Sequence, residues 1–151
     1  MGIKEEIKQS QFRNAYQKAF INILYTNNWL EEQVRGLLKD EDLTKQQFNV
    51  LRILRGSHPE PLSTLQIRER MLDKMSDTSR IVDRLVKKDF VHKQTCPSDK
   101  RLVDVMISEG GLKKLEAIDA KEHVIEDSLQ NLNPEEAELL SDLLDKLRKT
   151  T

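Results

Sequence analysis

One short run does not match its surroundings. Thr95 to Ser108 reads TCPSDKRLVDVMIS: a Pro-Ser-Asp turn, the cation pair Lys100-Arg101, then apolar residues at Val103, Val105 and Ile107 alternating with Leu102, Asp104 and Met106. Alternation of period two after a turn is a strand signal. A partner strand is expected over Val91 to Thr95, so the stretch reads as a small hairpin. The rest of the chain reads as charged amphipathic helix. A single hairpin set among helices, with two cations at its tip, leaves few folds open.

The first helix is expected from about Lys4 to Leu38, its apolar stripe running from Phe12, Tyr16 and Phe20 to Val34 and Leu38. That is long for a globular helix and points to one that reaches across a partner. Thr44 with Gln47, and Ser63 with Gln66, have the spacing of a capping box and open two further helices. Their inward residues are expected to be Phe48, Leu51, Ile53 and Leu54, then Leu65, Met71 and Leu72. A fourth helix begins near Ser76 and stops near Asp89. After the hairpin, Ser108 caps a long helix carrying Leu112, Leu115, Ile118, Ile125, Leu129 and Leu132. Asn133-Pro134-Glu135-Glu136 is a strong start signal for the last helix, which has a leucine face. The expected architecture is mainly α. Six helices and a two-stranded β-wing form a winged helix-turn-helix in one subunit over 1–151. The winged-helix lobe is expected over 40–110, flanked by terminal helices in 1–39 and 111–151.

Composition bears on the partner. Only 37% of residues are hydrophobic and 34% are charged, which suits helices with one wet face and is low for a compact monomer. Some apolar surface is therefore expected to be covered by a second copy. The net charge of -1 makes no case for a polyanion partner. Cys96 is the only cysteine, which excludes an intrachain disulfide framework and points to a reducing compartment. No apolar run approaches the ~20 residues that span a membrane. The N-terminal MGIKEEIKQSQ lacks the apolar core of a signal peptide. A soluble, cytoplasmic protein with no membrane partner is expected.

The fourth helix carries the chemistry. At about 100° per residue, Thr78, Ile81, Val82 and Leu85 share one side. Ser76, Ser79, Arg80, Asp83 and Lys87 share the other, with Arg84 at the margin. Small hydroxyls and an arginine suit a major groove, because serine reaches bases or phosphates without bulk and arginine can bridge guanine. The helix N-terminus also favours a phosphate. An ordinary solvated face offers the same residues, with Asp83 and Lys87 as an i,i+4 pair. Local charge favours the first reading. Seven cations and four acids lie between Ser76 and Val103, so this region is at +3 and the remainder at -4. Positive charge gathered on one region is the footprint of phosphate attraction. A hairpin tip with Lys100-Arg101 can then lie along the backbone and send one cation into a narrow minor groove. Asp99 would brace and aim Arg101.

The run SRIVDRLVKKDFVHKQTCPSDKRLVDVMISEGG resembles the reading helix and wing of the MarR family of bacterial transcription regulators. The family's wing signature, Asp-x-Arg followed by a strand and Thr-x-x-Gly, corresponds to Asp99-Lys100-Arg101 and Ser108-Glu109-Gly110-Gly111. Ser108 replaces threonine and can still cap a helix. Asp89 stands where the family usually has glycine, and aspartate tolerates the left-handed conformation better than most residues. The resemblance implies a homodimer with interlocked terminal helices, reading helices in successive major grooves of a near-palindromic operator, and Arg101 in the minor groove. It further implies a repressor released by a small aromatic or lipophilic effector. The residues expected at DNA are Ser76, Asp77, Ser79, Arg80, Arg84, Lys87, Asp99, Lys100 and Arg101. Tyr25 and Trp29 are candidates for an effector site, or simply packing residues.

Other chemistries find less support. Peroxide-sensing members of that family carry the cysteine in the first helix; here Cys96 is on the wing. His58, His92 and His123 lack metal-ligand spacing. No nucleophile triad or paired-acid motif stands out, so no enzyme activity, metal or cofactor is expected. The alternative to a DNA-binding regulator is a winged-helix module that binds proteins instead.

Overall fold

The computed structural model describes residues 1–95, 97–99 and 103–149. Helix α1 (Ile3–Glu6) is followed by α2 (Ala15–Leu38) and α3 (Lys45–Ser57). A two-residue strand β1 (Leu62–Ser63) leads into α4 (Thr64–Arg70) and α5 (Thr78–Lys87). Strands β2 (Val91–Thr95) and β3 (Val103–Ile107) form the wing, and α6 (Glu109–Asp119), α7 (His123–Ser128) and α8 (Pro134–Arg148) complete the chain. The fold is the expected helical winged helix-turn-helix, with more segments than the sequence pattern resolves.

The local signals explain most boundaries. Thr44 Oγ1 accepts from the Gln47 N–H at 3.1 Å while Gln47 Oε1 accepts from the Thr44 N–H at 3.2 Å. Reciprocal boxes of the same kind start α4 at Ser63 and α8 at Asn133, the latter with Pro134 just inside. Each satisfies two amide donors that a helix start leaves without partners.

Several expectations are corrected. The first helix is not continuous from Lys4. Lys8 takes a left-handed φ of 54°, and Asn14 starts a new helix by accepting from the Gln17 N–H at 2.9 Å. Asparagine is a preferred cap, and here it ends an apolar stripe that by periodicity alone would run on. The helix after the wing is also broken. Between α6 and α7 the chain tightens into i to i+3 bonds, Lys121 N–H to the Ile118 carbonyl at 2.9 Å and Val124 N–H to the Lys121 carbonyl at 3.1 Å. Lys121 and Glu122 pair there with Glu41 and Arg52, contacts distant in sequence. Leu65 and Leu72, expected inward, are 60% and 89% exposed. Helix α4 is short: within it Ile67 is buried, and Met71 is buried just past its end; Leu65 lies about 200° round the helix from Ile67 and Leu72 lies beyond Met71.

The sheet has three antiparallel strands rather than two, in the order β1-β3-β2. Leu62 pairs with Val105 and Ser63 with Asp104; on the other flank Val91 pairs with Ile107, Lys93 with Val105 and Thr95 with Val103. Val105 and Ile107 turn inward to a core that includes Leu51, Leu54, Ile67, Val82, Leu85, Leu115 and Ile118, all essentially inaccessible or nearly so. One core thus holds α3, α4, α5, the wing base and α6 together.

Candidate nucleic-acid interface

Helix α5 is set by its buried face. Thr78, Val82 and Leu85 are buried, which turns Ser79, Arg80, Arg84 and Lys87 to solvent. Its N-cap is Asp77, whose Oδ1 accepts from the Arg80 N–H at 3.2 Å. Ser76 therefore lies outside the helix, in the preceding turn, and is half-buried; its Oγ and Thr78 Oγ1 are enclosed and have no hydrogen-bond partner among the described residues.

The charges divide into two groups. Asp83 pairs with Lys93 on β2 at 2.7 Å, not with Lys87. Lys88 turns back to the start of α3, donating to the Asp42 carbonyl and to Gln47 Oε1, the latter at 3.1 Å. Those cations hold the fold. Arg80, Arg84 and Lys87 make no ion pair among the described residues. Arg68, exposed on α4, lines a separate cleft of about 430 Å³ with Thr64, Leu65 and the 76–79 segment at the start of α5. Its signal was a cation in the last turn of the preceding helix, which the single-helix projection did not cover.

The far end of α5 joins the wing at a tight corner. Asp89 has φ 61°, the left-handed conformation its residue type was expected to tolerate. The Phe90 N–H donates to the Leu85 carbonyl at 3.0 Å, and the Ser108 N–H to the Phe90 carbonyl at 2.9 Å. Ser108 caps α6 through the Gly111 N–H. A Cβ on Gly111 would sit 2.3 Å from the Phe90 carbonyl oxygen, so only glycine fits. The Ser-Glu-Gly-Gly run thus packs one helix start against one helix end. Asp99 is half-buried in the turn beyond β2. Lys100 and Arg101, expected at DNA, and Cys96, for which no redox role is expected, lie outside the described residues.

Ion pairs tie this unit to the outer helices. Arg55 grips Asp119 with two nitrogens, at 2.7 and 3.3 Å, and Arg52 meets Glu122 at 2.9 Å. Glu41, 8% exposed, accepts from Lys121 and from Lys114 at 3.4 Å. The hydrogen bond from Lys121, with help from Lys114 and against the effect of burial, holds the Glu41 carboxyl below its ordinary value of 4.5. Between α2 and α3 lies a cleft of about 660 Å³ lined by residues including Asn27, Leu30, Val34, Phe48, Met71 and Ile125. Tyr25 and Trp29 are not among its lining residues; they are 39% and 37% exposed. No helix is long and apolar enough to cross a membrane among the described residues.

Comparison with known proteins agrees with this arrangement. The sequence model of the MarR family matches residues 43–103, which take in α3, α4, α5 and β2 and end at the first residue of β3. The uncharacterized HTH-type transcriptional regulator YfiV of Bacillus subtilis is 32% identical over 96 residues, which make up 63% of this chain and 59% of that relative. The match therefore spans less than two thirds of the relative's length. A cysteine-to-serine variant of MarR from E. coli, solved in complex with operator DNA, has the same fold with a TM-score of 0.76 at 23% identity; the likeness covers 99% of this chain and 100% of that one. BpsR of Bordetella bronchiseptica, whose DNA binding is regulated by 6-hydroxynicotinic acid, gives a TM-score of 0.73 at 21% identity, over 84% and 96% of the two chains.

Proposed function

We propose that the chain is a sequence-specific regulator of transcription that binds double-stranded DNA, a reading supported by the match of the MarR family model to residues 43–103. The observation that carries the proposal is the outer face of α5. Ser79, Arg80, Arg84 and Lys87 stand exposed on one side of a helix whose other side is locked in the core. A helix held this way can enter a major groove with its N-terminal residues at base edges. The lobe is 40–110, and Arg101 on the wing serves the minor groove. The test is an electrophoretic shift with the promoter region of the chain's own operon. A retarded band that weakens steeply with salt is expected; no band at micromolar protein in low salt would overturn the proposal.

The working unit is a homodimer on a near-palindromic operator. Tyr16, Phe20 and Leu24 of α2 and Leu139, Leu143 and Leu147 of α8 are all at least half exposed in the single chain. Interlocked helices from two chains would cover them, in an interface above ~2,000 Å² of the obligate kind.

The regulator acts as a repressor released by a small aromatic or lipophilic effector. Support comes from the cleft between α2 and the lobe, and from a protein of this fold whose DNA binding responds to a small aromatic acid. Reading helices of a dimer must sit about one helical turn apart, roughly 34 Å. A ligand near Tyr25, Trp29 or the cleft need only favour another spacing. Calorimetry of one effector with and without operator tests this, because coupled sites must weaken each other by the same factor.

A further inference from the structure

At the tip of α5, where a reading helix comes closest to base edges, stands an acid. Asp77 is exposed and lines the clefts on both sides of the helix start, with Arg80 and Arg84 in one and Ser79 and Arg68 in the other. Three arginines are near, yet none forms an ion pair with it among the described residues. Among the described residues its side chain makes one hydrogen bond, the cap: Oδ1 accepts from the Arg80 N–H at 3.2 Å. That bond fixes the side chain's direction and leaves Oδ2 open to whatever the helix tip meets.

A carboxylate there is repelled by phosphate, so its placement favours contact with a base. We propose that Asp77 selects cytosine at one position of each half-site, by accepting a hydrogen bond from the cytosine amino group. The inference rests on the DNA-binding reading above. The major groove narrows the choice. Guanine and thymine show oxygen or nitrogen acceptors that a carboxylate repels. Adenine offers an amino donor, but its N7 acceptor lies alongside and would face the second carboxylate oxygen. Cytosine offers the amino donor with no acceptor beside it on its own edge. Arg80, one turn along the helix, carries the opposite preference and suits guanine. The pair of residues thus reads donor and acceptor edges separately, and the cap bond holds both on one helix start.

The test is selection of duplexes from a random library by the wild-type chain and by Asp77→Asn. Asparagine caps a helix as well as aspartate does, so thermal melting of the variant should match wild type. Its amide can satisfy the adenine amino group and N7 together. The wild-type chain is expected to enrich cytosine at one position per half-site, and Asp77→Asn to enrich adenine there. Binding of each protein to the other's duplex should be about tenfold weaker. If wild type and variant enrich the same sequences, Asp77 is a cap only and the inference is overturned. If the wild-type chain enriches no sequence at all, the DNA-binding reading falls, and this one with it. If the variant melts earlier, Asp77→Ser, which also caps, replaces it; loss of cytosine preference with normal melting is then the expected result, and unchanged preference overturns the inference.

Discussion

Ser108 Oγ donates a 2.6 Å hydrogen bond to the carbonyl oxygen of Asp89 and accepts one from the Gly111 N–H at 3.0 Å. One hydroxyl therefore ends the reading-helix segment and starts α6. Ser108→Ala would leave the left-handed Asp89 corner without its donor and α6 without its cap. A loss of about 2 kcal/mol is expected from the two together. Ser108→Thr keeps both bonds and should lose far less. Urea denaturation of the two variants checks this; equal losses would show that the hydroxyl is not the cause.

Gly111 sets a harder limit. A Cβ there would lie 2.3 Å from the Phe90 carbonyl oxygen and 2.7 Å from Ile107 Cγ1, whereas at Gly110 the nearest atom would be 3.2 Å away. Gly111→Ala should cost at least ~3 kcal/mol, since backbone must move. Gly110→Ala should cost clearly less. The order of the two urea midpoints is the measurement, and a reversed order would contradict the packing described.

The proposed DNA face should fail in three distinct ways. Arg80→Ala is expected to cost about 1–3 kcal/mol at one base pair and to relax specificity there. Lys87→Ala should weaken all duplexes alike and lower the salt slope by about one. Arg101→Ala should reduce preference for A·T at the flanks of the site. Equal losses on every duplex for all three would refute the division of roles.

Glu41 makes stability depend on pH. Its carboxyl is held below the ordinary value by the Lys121 hydrogen bond first, so the folded state favours the ionised form. That contribution is complete above the unfolded value near 4.5 and is lost as pH falls through the lower folded value. Glu41→Gln should cost about 1 kcal/mol near pH 7, a modest figure because both lysines stay partly exposed to solvent. The gap between wild type and variant should close as pH drops below 4.5. A gap that stays constant down to pH 3 would argue against this pairing.

Leu143 of α8 is 53% exposed in the single chain. Leu143→Glu should shift the sedimentation of a dimer towards monomer at micromolar concentration. A wild-type chain that sediments as a folded monomer at that concentration would remove the basis for the homodimer.

What could be read from the sequence was local. Thr44 with Gln47, Ser63 with Gln66 and Asn133 with Glu136 bond each other across three residues, so their pattern suffices to find them. The outward direction of Arg80 and Lys87 follows from helical spacing against Val82 and Leu85. The left-handed Asp89 was marked by the resemblance, since it stands where the family usually has glycine. What escaped was set by distant partners. Asp83 chooses Lys93 on a strand over Lys87 one turn away. The break at Lys121 and Glu122 coincides with pairing to Glu41 and Arg52. β1 is two residues long, too short to show any period. Asn14 was missed for another reason: an apolar stripe runs on beyond the helix that it starts.

The pairing of β1 with β3 gives the wing the mechanics of a cantilever. Asp104 and Val105 are held on both flanks, by Ser63 and Leu62 on one side and by Gln94 and Lys93 on the other. That is the clamp, and the same Ser63 starts α4, so the beam is anchored in the frame that carries the reading helix. Beyond Asp104, Val103 pairs with Thr95 on one flank and with no strand on the other among the described residues. Bending of a clamped beam grows steeply with its free length. Residues inserted outward of Asp104 would therefore lengthen the hairpin while leaving the aim of α5 unaltered, so the two can diverge independently between relatives.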